Sequence, residues 1–220
     1  MLPMKKGALI FDLYGTLMQV TTRMHQYAIL CRFLENGLEE SEKPEVKKEF
    51  KRVFLTCGTS TDIVTSLIDA KPNFPSKVID RLSTLNEGVK RTTQHLVEKE
   101  VQSVAPFDDL GKCLKLLSEH YDLILVSNLA TPFKEPFLSR GYGESFKACI
   151  FSCDVGMVKP DVNIFKEALK HCDEYPNGKI MVVGDKMHTD GRGAEALNLH
   201  YFKSHGHQTF VREFTQFMLP

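Results

Sequence analysis

An apolar run, Ala8-Leu9-Ile10-Phe11, ends on an acid, Asp12, and a glycine turn at Gly15 follows before Thr16 and Leu17. A short run with no polar break is the pattern of a strand buried on both faces. In an open α/β sheet such a strand delivers its last residues to the carboxyl edge, where ligands bind. The stretch therefore demands partners: further parallel strands beside it and helices to cover both faces. Asp12 alone is ambiguous, because an acid closing a strand caps the next turn more often than it attacks a substrate.

Later segments supply the partners. Residues 121–126 form an apolar strand that stops at Ser127-Asn128, and residues 148–152 form another. Residues 179–183 form a third, ended by Gly184-Asp185, and residues 200–203 a short fourth. Between them, 110–120, 132–140, 161–169 and 191–197 carry apolar residues at helical spacing. Strands alternating with helices imply a doubly wound, parallel Rossmann-like sheet. The stretch 205–220 is weakly patterned and receives no element.

The segment 18–105 lacks this rhythm and reads as an all-helical insertion, with helices over 21–36, 44–55, 60–70 and 77–101. The last is long enough to be broken, since no strong cap interrupts it. The chain then divides into a core, 1–17 and 106–220, and a helical cap, 18–105. Lys47, Lys48, Lys51 and Arg52 interleave with Glu42, Glu45 and Glu49, the pattern of a solvated helix face.

Composition narrows the partners. Basic and acidic residues both total 28, so no net field steers the chain toward nucleic acid or an anionic membrane. No apolar run approaches the roughly 18 residues of a membrane helix. The six cysteines are scattered without a C-x-x-C, and the first residues lack a secretory signal, which points to reduced thiols in the cytoplasm. Cys149 and Cys153 flank a strand and read as packing rather than metal ligands.

Asp12, Ser127, Lys159, Asp185 and Asp190 all follow or lie near strand ends, so one crevice can gather them across 178 positions of sequence. Singly, each has a plain structural explanation: a turn cap, a solvated charge, a helix cap. Together they form an ordered set. F-D-x-Y-G-T-L, V-S-N, V-G-x-x-K-P-D-x-x-I-F and V-V-G-D-x-x-x-x-D resemble the motifs of the haloacid dehalogenase superfamily. The resemblance covers residues 7–17 and 106–200, and the insertion sits where subfamily I carries its cap.

The resemblance implies roles. Asp12 would be the nucleophile, forming a covalent aspartyl intermediate. In a phosphatase, Mg²⁺ would bind Asp12, the carbonyl of Tyr14 and Asp185, with Asp190 as an outer partner. Thr16, Ser127, Asn128 and Lys159 would hold the phosphoryl oxygens, and Lys159 would offset the repulsion between phosphate and nucleophile.

The first motif departs from the phosphatase pattern D-x-D, for Tyr14 stands where the acid–base aspartate would be. A phenol, with an ordinary pKa of roughly 10, is a poor substitute at neutral pH. Three readings follow: a phosphatase for a small phosphorylated substrate with a good leaving group, a 2-haloacid dehalogenase, or a catalytically weak homologue that binds a partner. D-x-Y-G-T-L suits the dehalogenase, because halide leaves without a proton. Asp185 favours the phosphatase, since the metal-free dehalogenases resemble S-S-N-x-x-D at that place. Lys186 puts an ammonium beside the expected metal ligand, and His188 is the nearby side chain suited to proton transfer.

Overall fold

In a computed structural model the protein is described over residues 5–24, 31–32, 34–56, 75–83 and 87–219. Five strands form one parallel sheet: β1 (Ala8–Phe11), β4 (Asp122–Ser127), β5 (Ala148–Phe151), β6 (Ile180–Gly184) and β7 (His200–Lys203). Their order is β5-β4-β1-β6-β7, so β1 is central. Its residues pair on one side from Ala8 with Asp122 to Phe11 with Leu125, and on the other from Ala8 with Ile180 to Phe11 with Val183.

Strand alternation sorts the apolar side chains into two cores. Leu9, Phe11, Leu123, Leu125 and Val183 enter one. They pack with α4 (Leu110–His120) and α9 (Phe210–Met218) through Leu114, Leu117, Val211 and Phe214. Ala8, Ile10, Ile124, Val126 and Val182 enter the other, with Ile164, Phe165 and Ala168 of α7 (Val162–Leu169) and Ala194 of α8 (Arg192–Ala196). The result is the three-layered, doubly wound α/β fold expected from the strand–helix rhythm.

Between β1 and β4 the chain leaves and re-enters the core through a small antiparallel pair, β2 (Met18–Val20) and β3 (Val104–Pro106). The expectation of an all-helical stretch missed these strands, because three residues carry no readable period. The helices α1 (Lys43–Thr56), α2 (Ser76–Ser83) and α3 (Glu87–Gln102) lie between them. Residues 31, 32, 34 and 35 are helical too. The helix expected over 60–70, and residues 25–30 and 33 of that over 21–36, lie outside the described residues, while 21–24, expected to open the latter helix, are not helical.

Three further expectations need correction. The weakly patterned tail is the amphipathic helix α9, whose Phe210 and Phe214 stack at 5.9 Å between ring centres. The segment expected as one helix over 132–140 is a 3₁₀ turn, Thr131–Lys134, running into the four-residue helix α5 (Glu135–Leu138). Ser152, expected to close the strand over 148–152, instead opens α6 (Ser152–Val155), which also carries Cys153, whose thiol burial pushes up to about 11.

At the amino end of β4, Asp122 accepts from Lys5 (2.8 Å), Lys147 (3.1 Å) and the Tyr175 hydroxyl (3.2 Å). Burial alone would raise this carboxyl, but the two ammoniums outweigh it and hold it below its ordinary 3.8. The stability this cluster adds is complete above that value and is lost as pH falls through the lowered one. Asp122→Asn should therefore flatten the acid limb of a Tm-against-pH profile while lowering Tm at pH 7. An unchanged acid limb would count against the cluster.

Candidate active site

The site is built on the carboxyl ends of β1, β4 and β6. Asp12 continues β1, its N–H donating to the Val183 carbonyl at 2.9 Å. The chain then folds back on itself: Leu17 and Met18 both donate to the Leu13 carbonyl, and Gly15 donates to that of Met18. Gly15 adopts φ 95°, and a Cβ there would stand 2.4 Å from an Asp185 carboxylate oxygen. The glycine thus lets the first loop close directly on the acid at the end of β6. Gly184, the residue before that acid, makes a matching close approach, since a Cβ there would meet the Asp190 carboxylate at 2.4 Å.

Lys159 is the hub. Its Nζ donates to Asp12 Oδ1 at 2.6 Å, Asp190 Oδ1 at 2.7 Å and the Val126 carbonyl at 2.9 Å. All three side chains are buried. Burial alone would lower the Lys159 ammonium, but the charges of Asp12 and Asp190 outweigh it and keep Lys159 protonated. Burial pushes the Asp12 carboxyl up to about 6 against the opposing pull of Lys159, with Asp190 and Asp185 raising it further. The second oxygen of Asp190 accepts from the Lys186 N–H at 3.1 Å, which pins the turn Met187–Gly191.

The remaining expected residues fall around this hub. Thr16 is fully buried, its hydroxyl 3.4 Å from Asp12 Oδ2. Ser127, 1% exposed at the end of β4, has no hydrogen-bond partner for its hydroxyl among the described residues. Asn128 grips the backbone of Lys159 at both ends of its amide, donating to its carbonyl at 3.0 Å and accepting its N–H at 2.8 Å. Its visible work is to fix the lysine loop. Asp185 is partly exposed, and the Lys186 ammonium lies 3.1 Å from one of its oxygens and 3.3 Å from the other. Oxygens of Asp12, Asp185 and Asp190 all fall within 4.8 Å of one another.

Tyr14 points elsewhere. Its hydroxyl donates to the Phe133 carbonyl at 2.8 Å and its ring meets that of Phe133 edge to face. Burial drives the phenol above its ordinary value, so it neither ionises nor offers its proton near neutrality. His188 is exposed on the turn Met187–Gly191 and makes no hydrogen bond among the described residues. The structure therefore brings together the whole expected set except these two proton donors.

Sequence reasoning missed two supports. The Val126 carbonyl completes the ammonium's shell, which no side-chain motif reveals. Ser204, buried just after β7, donates to the Gly15 carbonyl at 3.3 Å and ties the fifth strand to the first loop. Only the positive φ of 66° at Gly206, two residues on, marks that turn.

Comparison with known proteins agrees with this fold. A HAD phosphatase from Thermococcus onnurineus superposes with TM-score 0.54 at 16% identity, over 97% of this chain and 98% of that one. A 2-haloacid dehalogenase from Pseudomonas syringae pv. Tomato superposes with TM-score 0.58 at 16% identity, over 90% of this chain and 85% of that one. The HAD-hydrolase YfnB from Bacillus subtilis, solved bound to magnesium, does so with TM-score 0.58 at 13% identity, covering 99% and 100%. At these identities the likeness speaks for the fold. Among curated proteins, none matches the sequence at a significant level. The family model for haloacid dehalogenase-like hydrolases matches residues 6–198, and the chain belongs to that family.

Proposed function

We propose that the chain is a metal-dependent phosphatase acting on a small phosphorylated substrate whose leaving group departs without protonation. One observation carries the reading: Asp185 stands beside Asp12 at the carboxyl edge, their oxygens within 4.8 Å, while the Lys159 ammonium binds Asp12 Oδ1. A metal-free displacement has no use for Asp185 at that place.

The donor set fits a hard divalent cation such as Mg²⁺, which takes carboxylate and carbonyl oxygens and keeps several waters. Asp12 Oδ2, whose hydrogen bonding among the described residues is the 3.4 Å contact from Thr16, and the partly exposed Asp185 would hold it with the Tyr14 carbonyl. Asp190 has both oxygens engaged and serves as the outer support. The bound ion would supply positive charge at the phosphoryl oxygens.

The chain's own groups do the rest. A carboxylate oxygen of Asp12 attacks phosphorus, the P–O bond to the leaving group breaks, and an aspartyl phosphate forms. Lys159 stays on Asp12 and draws charge from the equatorial oxygens, and the Ser127 hydroxyl, unpartnered among the described residues, is placed to donate to one of them. Water then hydrolyses the acyl phosphate. Tyr14 gives no proton because its hydroxyl is committed to Phe133, so substrates with acidic leaving groups are favoured.

The same commitment of Tyr14 favours one alternative, a dehalogenase, in which halide leaves unprotonated. The two readings separate in one assay. Acetyl phosphate and p-nitrophenyl phosphate should turn over with Mg²⁺ and stop with EDTA, while 2-chloropropionate should release no halide. Halide release insensitive to EDTA, without phosphate release, would overturn the phosphatase. Inertness toward all three compounds would leave a binding role. A small-molecule partner, with no nucleic acid and no membrane, belongs to the same proposal, and no described helix is long and apolar enough to cross a membrane.

A further inference from the structure

The helical insertion contains a recess of about 680 Å³ between the helical residues 31, 32, 34 and 35 and α1, with charged side chains around its rim. Arg32, Lys47, Lys48 and Lys51 line it, with Glu35 and Cys31 at its wall. Four cations thus surround one carboxylate. Glu35 is already engaged: it is buried, accepts from the Cys31 thiol at 3.2 Å and lies 3.4 Å from the Lys47 ammonium.

The sequence interleaves acids with these lysines, but the fold separates them. On α1, Lys47 and Lys51 lie one turn apart, Lys48 lies between them and the next flank, and Glu45, Glu49 and Arg52 occupy that flank. Glu49 binds Arg52 through two bonds of 2.7 Å, and Glu42 reaches across to Lys77 at 2.6 Å. Glu45 stands 3.9 Å from Lys48, both about 80% exposed, a pair too solvated to hold the lysine. Arg32 and Lys51 have no carboxylate partner among the described residues. Like charges gathered at a recess repel one another and focus a positive field, so the arrangement is stabilised by an anion of matching size.

We propose that this cavity is a binding site for a small, multiply charged phosphate compound, separate from the strand-end site. The guanidinium of Arg32 offers a planar fork for two phosphate oxygens, and the ammoniums of Lys47, Lys48 and Lys51 supply point charges around a third. A diphosphate group spans such a cluster, whereas a single carboxylate meets only one cation. The site rests on helix packing and ion pairs in the insertion, so it stands whether or not Asp12 is a nucleophile.

Inorganic pyrophosphate is the probe, added without metal to ¹⁵N-labelled full-length protein. Backbone amides of residues 32, 47, 48 and 51 should shift with one common Kd below about 1 mM, the range of a weak but specific contact. That Kd should rise steeply with salt, as for any ion-pair site. Arg32→Gln/Lys51→Gln should weaken binding at least about 10-fold, since it removes two charge-assisted contacts. The same variant should leave p-nitrophenyl phosphate turnover unchanged and should not lower Tm. Shifts confined to residues near Asp12 and Ser127 would overturn the site. A short single-stranded oligonucleotide that shifts the same amides at lower concentration than pyrophosphate would overturn the small-anion assignment.

Discussion

Replacing Asp12 with Asn should abolish turnover of acetyl phosphate and p-nitrophenyl phosphate while leaving the fold intact. The amide keeps the shape of the carboxyl but cannot attack phosphorus, and loss of a nucleophile costs on the order of 10⁴-fold or more in kcat. Stability should hold or rise. Asp12 is one of two acids bonded to a single buried ammonium, with Asp185 close by, and its carboxyl is already pushed up to about 6, chiefly by burial. Neutralising it relieves repulsion with Asp190, and the 2.7 Å bond from Lys159 to Asp190 survives. Turnover within about 10-fold of the parent would rule Asp12 out as nucleophile; that bound corresponds to roughly 1.4 kcal/mol in the barrier. A large fall in Tm would instead expose a structural role.

Lys159→Met should have the opposite balance, damaging stability and activity together. The methionine fills similar volume but leaves Asp12, Asp190 and the Val126 carbonyl facing one another with no donor between them. Breaking a buried ion pair from one side costs about 3–5 kcal/mol. Urea unfolding should show a lower midpoint at an unchanged slope. Adding Asp190→Asn to Lys159→Met should recover some of the loss, because the two residues form one network and their effects do not add. A stability change below about 1 kcal/mol in the single variant would mean that the ammonium does not bridge the two acids in solution.

Asp12, Ser127 and Asp185 were legible because each closes an apolar run, Lys159 and Asp190 because they lie on the loops that follow such runs, and a parallel sheet brings those ends to one edge without regard to distance along the chain. Asp12, Ser127, Lys159, Asp185 and Asp190 met as expected for that reason. Orientation was not legible. Tyr14 lies two positions from Asp12, yet its phenol turns to the Phe133 carbonyl, 119 positions away, because burial beside that ring outweighs exposure to the crevice. The grip of Asn128 on the Lys159 backbone likewise depends on a loop path that no local pattern encodes. The helix α9 escaped notice because its apolar face is spread over aromatics, Phe210 and Phe214, inside a short terminal stretch. On α1 the alternation of acids and lysines was plain, but that Lys47 and Lys51 line the recess while Glu49 binds Arg52 on another flank needed the helix and its neighbours.

The central position of β1 governs the order in which the chain can be made. Its two neighbours are β4 and β6, and Phe11 and Asp122 stand 111 positions apart. At synthesis rates of roughly 5–20 residues per second, the apolar run waits about 6–22 s before β4 emerges to pair with it. Over that interval the segment between β2 and β3 has been synthesised as well, so helices such as α1 and α3 have time to form before β1 meets β4. Placing the nucleophile at the end of the earliest strand therefore leaves the catalytic edge incomplete until β6 has brought Asp185 and the turn carrying Asp190.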